Sequence, residues 1–358
     1  MQPRSYGVGV ASIFVPPSAL SSPLMTDVDV LVFGLGALGS TYAYILQAGK
    51  QVRSVSVVAR SNAEVVQAKG LTLRSEKFGV HEGVRFDAVY PNCEEAAKSG
   101  LSFSYVICAN KAILDSNPSL EDMLRPVVGP DAVLVLIQNG IGQEDALREA
   151  FPTTTIIAST VWTGARTVDV GVVEVFTPTD SLVLGVHWSS DISRARQQSQ
   201  IDILASILTK SNASVTVKED VQPDRCVKAI WNSAWNTLTA LTQLRTRDWI
   251  ATSPGAREVA RGIFIEGVRV AKGKGIAIPD DTLETLMIKY TTLEGFSSML
   301  TDSLNEKPME IEAILGTIMR EGNRLGLPVP TLKIIYTLLK AMEWKHAHPD
   351  EARLAMIG

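Results

Sequence analysis

Short apolar runs alternate with helical spacing along the first part of the chain. An apolar run of about four to eight residues between turn signals is typical of a buried strand, and apolar residues three and four apart are typical of a helix. Buried strands are predicted at 28–33, 55–59, 105–109, 133–137 and 213–217, with strand-like pieces within 155–186 and small peripheral strands within 71–90. This alternation predicts an α/β fold with a doubly wound sheet.

Helical spacing dominates from residue 222 onward. Helices are predicted near 223–243, 254–275, 280–289, 308–325 and 331–345, separated by breaks that contain proline and glycine. We therefore expect a doubly wound sheet domain at 27–218, followed by an all-helical domain at 219–358. Residues 1–26 contain one charge, no acid and several serines and prolines, so a disordered tail is expected there.

The composition excludes several classes of protein. No apolar run reaches the roughly 18 residues that a membrane-spanning helix needs. The net charge of -4 without a basic cluster argues against nucleic acid as a partner. Three cysteines without metal-like spacing favour a reducing compartment and no metal site. A cytoplasmic location is expected, a mitochondrial one stays open, and a homodimer is compatible with the apolar helices.

The first predicted strand leads into the glycine turn GLGALG and then into a helical pattern that stops at Gly49. This order is that of the first unit of a dinucleotide-binding fold. Gly34 suits the tight turn, Gly36 lets a pyrophosphate approach the backbone, and Gly39 lets the helix lie close to the strand. Free N–H groups at the helix start can bind phosphate oxygens. The predicted cofactor-binding residues of the turn are Gly34, Leu35, Gly36, Ala37, Leu38 and Gly39.

Arg60 follows the second predicted strand. An NAD-specific fold usually places an acidic residue there to bind the ribose 2′-hydroxyl, whereas an arginine suits a 2′-phosphate. Arg60 therefore favours NADP(H), the alternative being an ordinary surface arginine. Lys111 and Asn139 follow two further strands, in the crevice where ligands of open α/β sheets bind. Asn139-Gly140 is also a common turn signal.

Lys228, Asn232 and Asn236 fall on one face of the helix predicted at 223–243, because successive helical residues are about 100° apart. Lys228 is the only charged residue between Val227 and Gln243, so we expect the helix to be covered on most sides. Burial disfavours the charged form of a lysine and brings its pKa closer to neutrality, which suits a general acid.

Residues 297–315 supply hydroxyls and carboxylates. Pro308 fits the first turn of a helix, which would place Glu310 near that helix's N-terminus. Helix physics alone would equally make Glu310 a surface acid that interacts with the helix dipole.

Together these residues resemble the ketopantoate reductase family (2-dehydropantoate 2-reductase). The resemblance runs over about residues 28–332 and is carried by the order and spacing of its motifs. These are the GLGALG turn with Arg60, Lys111, Gln138-Asn139-Gly140, Lys228-x-x-x-Asn232-x-x-x-Asn236, Ser297-Ser298-Met299, Asp302 and Glu310-Ile311-Glu312.

The resemblance implies an N-terminal Rossmann domain, a helical C-terminal domain and a cleft between them. It implies that NADPH delivers a hydride to the ketone carbon of a 2-keto acid, 2-dehydropantoate, which gives the 2-hydroxy acid pantoate. Lys228 would be the general acid, and Glu310 would orient either this lysine or the substrate hydroxyl.

The resemblance also implies roles for five further residues. Asn232 and Asn236 would bind the substrate by hydrogen bonds, and Ser298 would bind its carboxylate. Asn139 and Lys111 would lie between cofactor and substrate, so that Asn139 belongs to both sites.

One segment departs from the family pattern. The family usually has a glycine-rich stretch near His-x-Gly-x-Gly, whereas residues 175–180 read VFTPTD. This favours the alternative of a related enzyme that reduces a different ketone in a specialised biosynthetic pathway. A β-hydroxyacid dehydrogenase also uses a Lys-x-x-x-Asn helix, but the glycines expected before the lysine are absent. A non-catalytic NADP-sensing protein would be expected to lose Lys228 or Glu310, and both are present.

Overall fold

A computed structural model of the chain describes residues 27–178, 180–292 and 296–350. The tail expected at 1–26 lies outside these residues. Strands and helices alternate up to Val217, and the regular elements described from Gln222 onward are helical. The α/β fold class and the helical region that follows it are therefore confirmed.

In the described part of the chain, eight strands build the main sheet and four build a smaller one. In chain order they are β1 (Asp29–Phe33), β2 (Ser54–Val58), β3 (Leu71–Ser75), β4 (Gly79–Val84), β5 (Ala88–Tyr90), β6 (Tyr105–Cys108), β7 (Val133–Leu136), β8 (Thr155–Val161), β9 (Ala165–Asp169), β10 (Val172–Val175), β11 (Leu182–His187) and β12 (Val215–Val217). The main sheet has the order β12-β11-β8-β7-β6-β1-β2-β5 and is parallel, except that β11 runs antiparallel to β8. The smaller sheet has the order β4-β3-β10-β9.

The helices of the α/β part cover the sheets. They are α1 (Ala37–Gly49), α2 (Ala63–Lys69), α3 (Cys93–Ala97), α4 (Leu120–Leu124), α5 (Gln143–Ala150) and α6 (Arg194–Lys210). The smaller sheet packs against α1. It joins β3 and β4, from the peripheral strands predicted within 71–90, to β9 and β10 from the strand-like region at 155–186, whereas β5 lies at the edge of the main sheet.

The helical region contains seven α-helices and one π-helical segment among the described residues. They are α7 (Gln222–Thr242), α8 (Thr246–Thr252), α9 (Gly255–Gly273), α10 (Thr282–Thr292), α11 (Ser298–Leu304), the π-helical segment Glu312–Gly316, α12 (Thr317–Arg324) and α13 (Pro330–Ala347). The short helices α8 and α11 are absent from the sequence prediction, because seven residues carry too little periodicity to be recognised.

Helix α7 is the centre of the helical region. Its Trp231 is 2% exposed and packs against Phe264 of α9 and Tyr290 of α10, with ring centroids 6.4 and 6.1 Å apart. Helices α8 to α11 and α13, together with the π-helical segment, also contact α7. This confirms that α7 is covered on most sides, as its lack of charged residues predicted.

The helix predicted to begin at Pro308 begins later. Residues 307–310 are not helical, and the first helical hydrogen bond runs from the Ile314 N–H to the Glu310 carbonyl over 3.1 Å. The Glu310 carboxylate is hydrogen-bonded to groups on the sheet side of the molecule. These bonds hold the preceding segment out of the helix, which is the reason for the difference.

The crevice at the carboxyl ends of the parallel strands opens beside β1. The chain runs from β1 to β2 on one side of it and later returns to β6 on the other. The glycine turn follows β1, whereas Lys111 and Asn139 follow β6 and β7. Ligands bind at such a point, where the strand order reverses.

The contact of α1 with the glycine turn generates a stability prediction. A Cβ atom at Gly39 would lie 1.9 Å from the Gly34 carbonyl oxygen, whereas one at Gly36 would meet nothing within 4 Å. Gly39→Ala should lower the free energy of unfolding by about 1–3 kcal/mol, because the helix must move from the strand. Gly36→Ala, the matched control, should change it by no more than about 0.5 kcal/mol. Urea unfolding measures both, and equal losses would contradict the packing described.

Candidate active site

The glycine turn is held tightly on one side and open on the other. Gly34 has a positive φ of 97°, and a Cβ atom there would lie 2.5 Å from the Asn110 backbone nitrogen. Gly36 precedes α1 without a side-chain cap, and the first turn of α1 carries no acidic residue. Unbonded N–H groups therefore adjoin open space, which is the arrangement that binds a phosphate at a helix N-terminus.

Arg60 emerges at the same edge of the sheet as the glycine turn. Strand β2 runs parallel to β1, and Arg60 follows it with an exposed side chain. The Asn62 amide donates a hydrogen bond of 2.8 Å to the Leu35 carbonyl, which fastens the loop after β2 to the glycine turn. The residues predicted to hold a dinucleotide are thus brought together, and their open cradle fits such a group.

Lys228, Asn139 and Glu310 form a hydrogen-bonded chain between the sheet and the helical region. The Lys228 Nζ donates to the Asn139 Oδ1 over 3.0 Å, and the Asn139 Nδ2 donates to the Glu310 Oε2 over 3.2 Å. Lys228 also donates to the Val161 carbonyl at the end of β8. Glu310 therefore reaches Lys228 through the Asn139 amide.

The surroundings of Lys228 lower the pKa of its ammonium group. Burial lowers the pKa of the Lys228 ammonium to about 8, and the charges of Lys289 and Arg225 act in the same direction. The Glu310 carboxylate opposes them and favours the charged form. An ammonium group with such a pKa can both give and regain a proton near neutral pH.

The second oxygen of Glu310 fixes the position of its side chain. The Ala112 backbone N–H donates to the Glu310 Oε1 over 2.9 Å, and Glu310 is only 8% exposed. The neighbouring Lys111 donates to the Pro308 carbonyl over 3.4 Å and forms an ion pair with Asp302 of α11. Burial raises the pKa of Asp302, while Lys111 opposes this rise. Lys111 thus joins the strand end to the segment that precedes Glu310.

The predicted substrate residues of α7 are buried, whereas Ser298 is exposed. Asn232 and Asn236 are 4% and 2% exposed, and the Asn236 Oδ1 has no hydrogen-bond partner within the described ranges. Ser298 lies at the start of α11. The preceding Ser297 caps that helix and shares a hydrogen bond of 2.7 Å with Thr239 of α7.

Two residues at the site were missed by sequence reasoning. The Lys289 Nζ lies 3.7 Å from the centroid of the Trp162 ring, and the Lys228 Nζ lies 5.8 Å from the same centroid. Burial lowers the pKa of Lys289 to about 8. Nothing in the sequence near Lys289 indicates this position, because the contact joins α10 to the end of β8. Trp162 directly follows the apolar strand β8, so its sequence position indicates an ordinary core residue.

Asp180, the last residue of the segment 175–180 that departs from the family pattern, joins separate parts of the chain by buried polar contacts. Asp180 is 1% exposed, pairs with Lys77 and accepts bonds of 3.1 and 3.0 Å from the Ser214 backbone N–H and hydroxyl. The Trp162 N–H donates to the Ser181 carbonyl over 2.8 Å. The residue that follows this segment is therefore bonded to the backbone of Trp162, the tryptophan whose ring lies near both lysines.

Two further observations concern the described part of the chain as a whole. Within it, no group of three or more His, Cys, Asp or Glu side chains is placed to hold a metal ion. Nor does any helix in those residues have both the length and the apolar character required to cross a membrane.

Comparison with known proteins gives a consistent result. The family profile "Ketopantoate reductase PanE/ApbA" matches residues 30–187, and the corresponding C-terminal profile matches residues 220–343. A 2-dehydropantoate 2-reductase of Pyrobaculum aerophilum is 28% identical over 316 residues, which cover 87% of this chain and 97% of the relative. An uncharacterized protein of Saccharomyces cerevisiae is also 28% identical, over 88% of this chain and 94% of its own length.

Solved structures agree with the sequence comparison. The crystal structure of 2-dehydropantoate 2-reductase from Methylococcus capsulatus superposes with a TM-score of 0.76 and 30% identity, over 89% of this chain and 98% of the other. D-mandelate dehydrogenase with NADH and anilino(oxo)acetate gives a TM-score of 0.74 at 19% identity, over 89% of this chain and 99% of the other, which shows a shared fold. The two profiles together cover most of the chain, and the chain belongs to the ketopantoate reductase family.

Proposed function

We propose that the chain reduces 2-dehydropantoate, a 2-keto acid, to the 2-hydroxy acid pantoate with NADPH. The observation that carries this proposal is the hydrogen-bonded chain from Glu310 through Asn139 to Lys228. It presents an ammonium group with a lowered pKa at the edge of the sheet where the glycine turn lies. Two relatives named 2-dehydropantoate 2-reductase align with this chain over 97% of their own length, which supports the choice of substrate.

Two features support NADPH as the cofactor. The open side of the glycine turn, where a Cβ atom at Gly36 would meet nothing within 4 Å, would accommodate a pyrophosphate. The exposed Arg60, in a loop fastened to that turn, supplies a cation for a 2′-phosphate. When bound, the reduced nicotinamide supplies a hydride to the ketone carbon.

Lys228 supplies the proton. Two of its three N–H bonds are accepted by Asn139 and the Val161 carbonyl, and the third is available to a ketone oxygen. As the carbonyl carbon gains a hydride, negative charge develops on this oxygen, which takes the proton from the Lys228 Nζ. The products are a hydroxyl group and a neutral amine. Burial favours the neutral amine, and solvent returns the proton afterwards.

The remaining predicted residues bind the substrate in this proposal. Asn232 and Asn236 lie one and two turns along α7 from Lys228, and the unpartnered amide oxygen of Asn236 suits a substrate hydroxyl. Ser298 at the start of α11 binds the carboxylate. Lys111 holds the α11 segment against the strand end and lies between the cofactor and substrate sites.

A related enzyme that reduces a different ketone is the second candidate. Trp162 places an aromatic ring beside Lys228, and Lys289 adds a second cation over this ring. Ser181, which follows the segment at 175–180 that differs from the family pattern, accepts a hydrogen bond from the Trp162 backbone N–H. The intact contacts of Lys228 and Glu310 argue against a protein that only senses NADP.

The first test follows NADPH oxidation with 2-dehydropantoate and a panel of bulkier ketones. Turnover should be fastest with 2-dehydropantoate, and Lys228→Ala should lower kcat by about 10²–10⁴-fold without changing NADPH affinity, because it removes the proton donor. Lys98→Ala, at an exposed lysine of the α3 C-terminus, is the matched control and should keep full activity. Turnover of another ketone alone would contradict the substrate, and near-normal kcat in Lys228→Ala would contradict its role.

The second test concerns the cofactor. Arg60→Ala should weaken NADPH binding by about 10- to 100-fold, because hydrogen bonds to a charged group contribute about 1.5–3 kcal/mol. NADH binding should change little, since NADH has no 2′-phosphate. Nucleotide fluorescence titration measures both dissociation constants. Equal weakening of the two nucleotides would show that Arg60 does not bind the 2′-phosphate.

A further inference from the structure

A buried ion pair joins α7 to the loop that carries Asn139. Arg225 lies three residues before Lys228 on α7, and its guanidinium binds the carboxylate of Glu144 on α5 through both terminal nitrogens. The Nη2–Oε2 distance is 3.0 Å, and the two side chains are 2% and 6% exposed. Although burial alone raises the pKa of Glu144, the Arg225 charge lowers it to about 2, so the carboxylate stays ionised.

Both partners also bind the backbone of the loop at residues 139–142. The Arg225 Nη2 donates to the Gly140 carbonyl over 3.3 Å, and the Gly142 N–H donates to the Glu144 Oε2 over 3.2 Å. From the other side, the Ile141 N–H donates to the Ala313 carbonyl over 3.0 Å. The loop is thus held between α7 and the π-helical segment.

The loop has no room to relax toward the π-helical segment. Gly140 has a φ of 80°, and a Cβ atom there would lie 2.4 Å from the Ala313 carbonyl oxygen. A shift of the Gly140 carbonyl away from Arg225 would therefore move the adjacent Asn139 relative to Lys228. The bond between Asn139 and Lys228 spans two separate elements, and Arg225 joins the same two elements.

A buried ion pair is a poor source of stability, since the desolvation of two charges offsets their attraction. The planar guanidinium instead fixes the directions of its hydrogen bonds, because its donors form a rigid fork that matches a carboxylate. We propose that Arg225 and Glu144 are positioning residues that set the distance between the Asn139 amide and the Lys228 ammonium. This inference rests on the proposed function, in which Lys228 gives the proton.

The geometry and the charge of Arg225 can be separated by substitution. Arg225→Lys keeps a positive charge but loses the fork and the bond to Gly140. Three charged groups act on Lys228, namely Glu310, Lys289 and Arg225, and this variant retains all three charges. The midpoint of the pH profile should therefore stay in place. The plateau value of kcat should fall by about 10- to 100-fold, because a small misplacement of a catalytic group lowers the rate to this extent.

A double variant, Arg225→Gln with Glu144→Gln, removes both charges of the pair, so that neither is left buried without its partner. It therefore guards against a failure to fold. Its kcat should fall at least as far, with unchanged NADPH affinity. Arg53→Lys is the matched control, because Arg53 forms a similar forked pair with the buried Asp29. Asp29 begins β1 and so lies at the end of this strand away from the glycine turn. This control should retain the wild-type kcat.

Hydrogen–deuterium exchange provides a readout that does not depend on turnover. In Arg225→Lys the amides of residues 139–142 should exchange faster, while those of α9 stay unchanged. Unchanged exchange in this loop, a wild-type kcat in both Arg225 variants, or an equal loss of kcat in Arg53→Lys would overturn the inference. A wild-type protein that reduces no keto acid would refute the proposed function instead, and the exchange data would still decide whether the pair holds the loop.

Discussion

The Asn139 amide can satisfy its two charged neighbours in one orientation only. Its nitrogen donates to the Glu310 carboxylate and its oxygen accepts from the Lys228 ammonium. The reverse orientation would direct the amide N–H groups at the ammonium and the amide oxygen at the carboxylate. This constraint fixes the position of the Lys228 Nζ. The rest of the site depends on the Asn139 amide, because it joins three residues that come from distant parts of the chain.

Burial has opposite consequences for the two kinds of charged group around this amide. Glu144 and Arg225 form a buried pair in which the Arg225 charge lowers the pKa of Glu144 to about 2, so this pair defines geometry. Among the described residues, Lys228 donates its hydrogen bonds to a neutral amide and a carbonyl, so burial moves its pKa toward neutrality. The same enclosed helix thus contains an arginine that is paired with a carboxylate and a lysine that can release its proton.

The sequence predicted the features that depend on local pattern. The glycine turn with the strand before it and the helix after it, and the polar face of α7, could be recognised because each lies within one segment. Glu310 needed the family resemblance, since helix physics alone equally suited a surface acid. Lys289, Trp162 and the Arg225–Glu144 pair are defined by contacts between separate elements. The late start of the helix after Glu310 also depends on a contact between separate elements, because the Ala112 backbone N–H binds the Glu310 carboxylate.

The pH dependence of kcat with 2-dehydropantoate tests most directly whether Lys228 is the aimed proton donor. A general acid is active in its protonated form, so kcat should fall as pH rises through about 8, the pKa of Lys228. Lys289→Met removes a charge that lowers this pKa, so the midpoint should move to higher pH. A rate that stays level well above pH 8 in the wild type, or a midpoint that Lys289→Met leaves unmoved, would contradict the account.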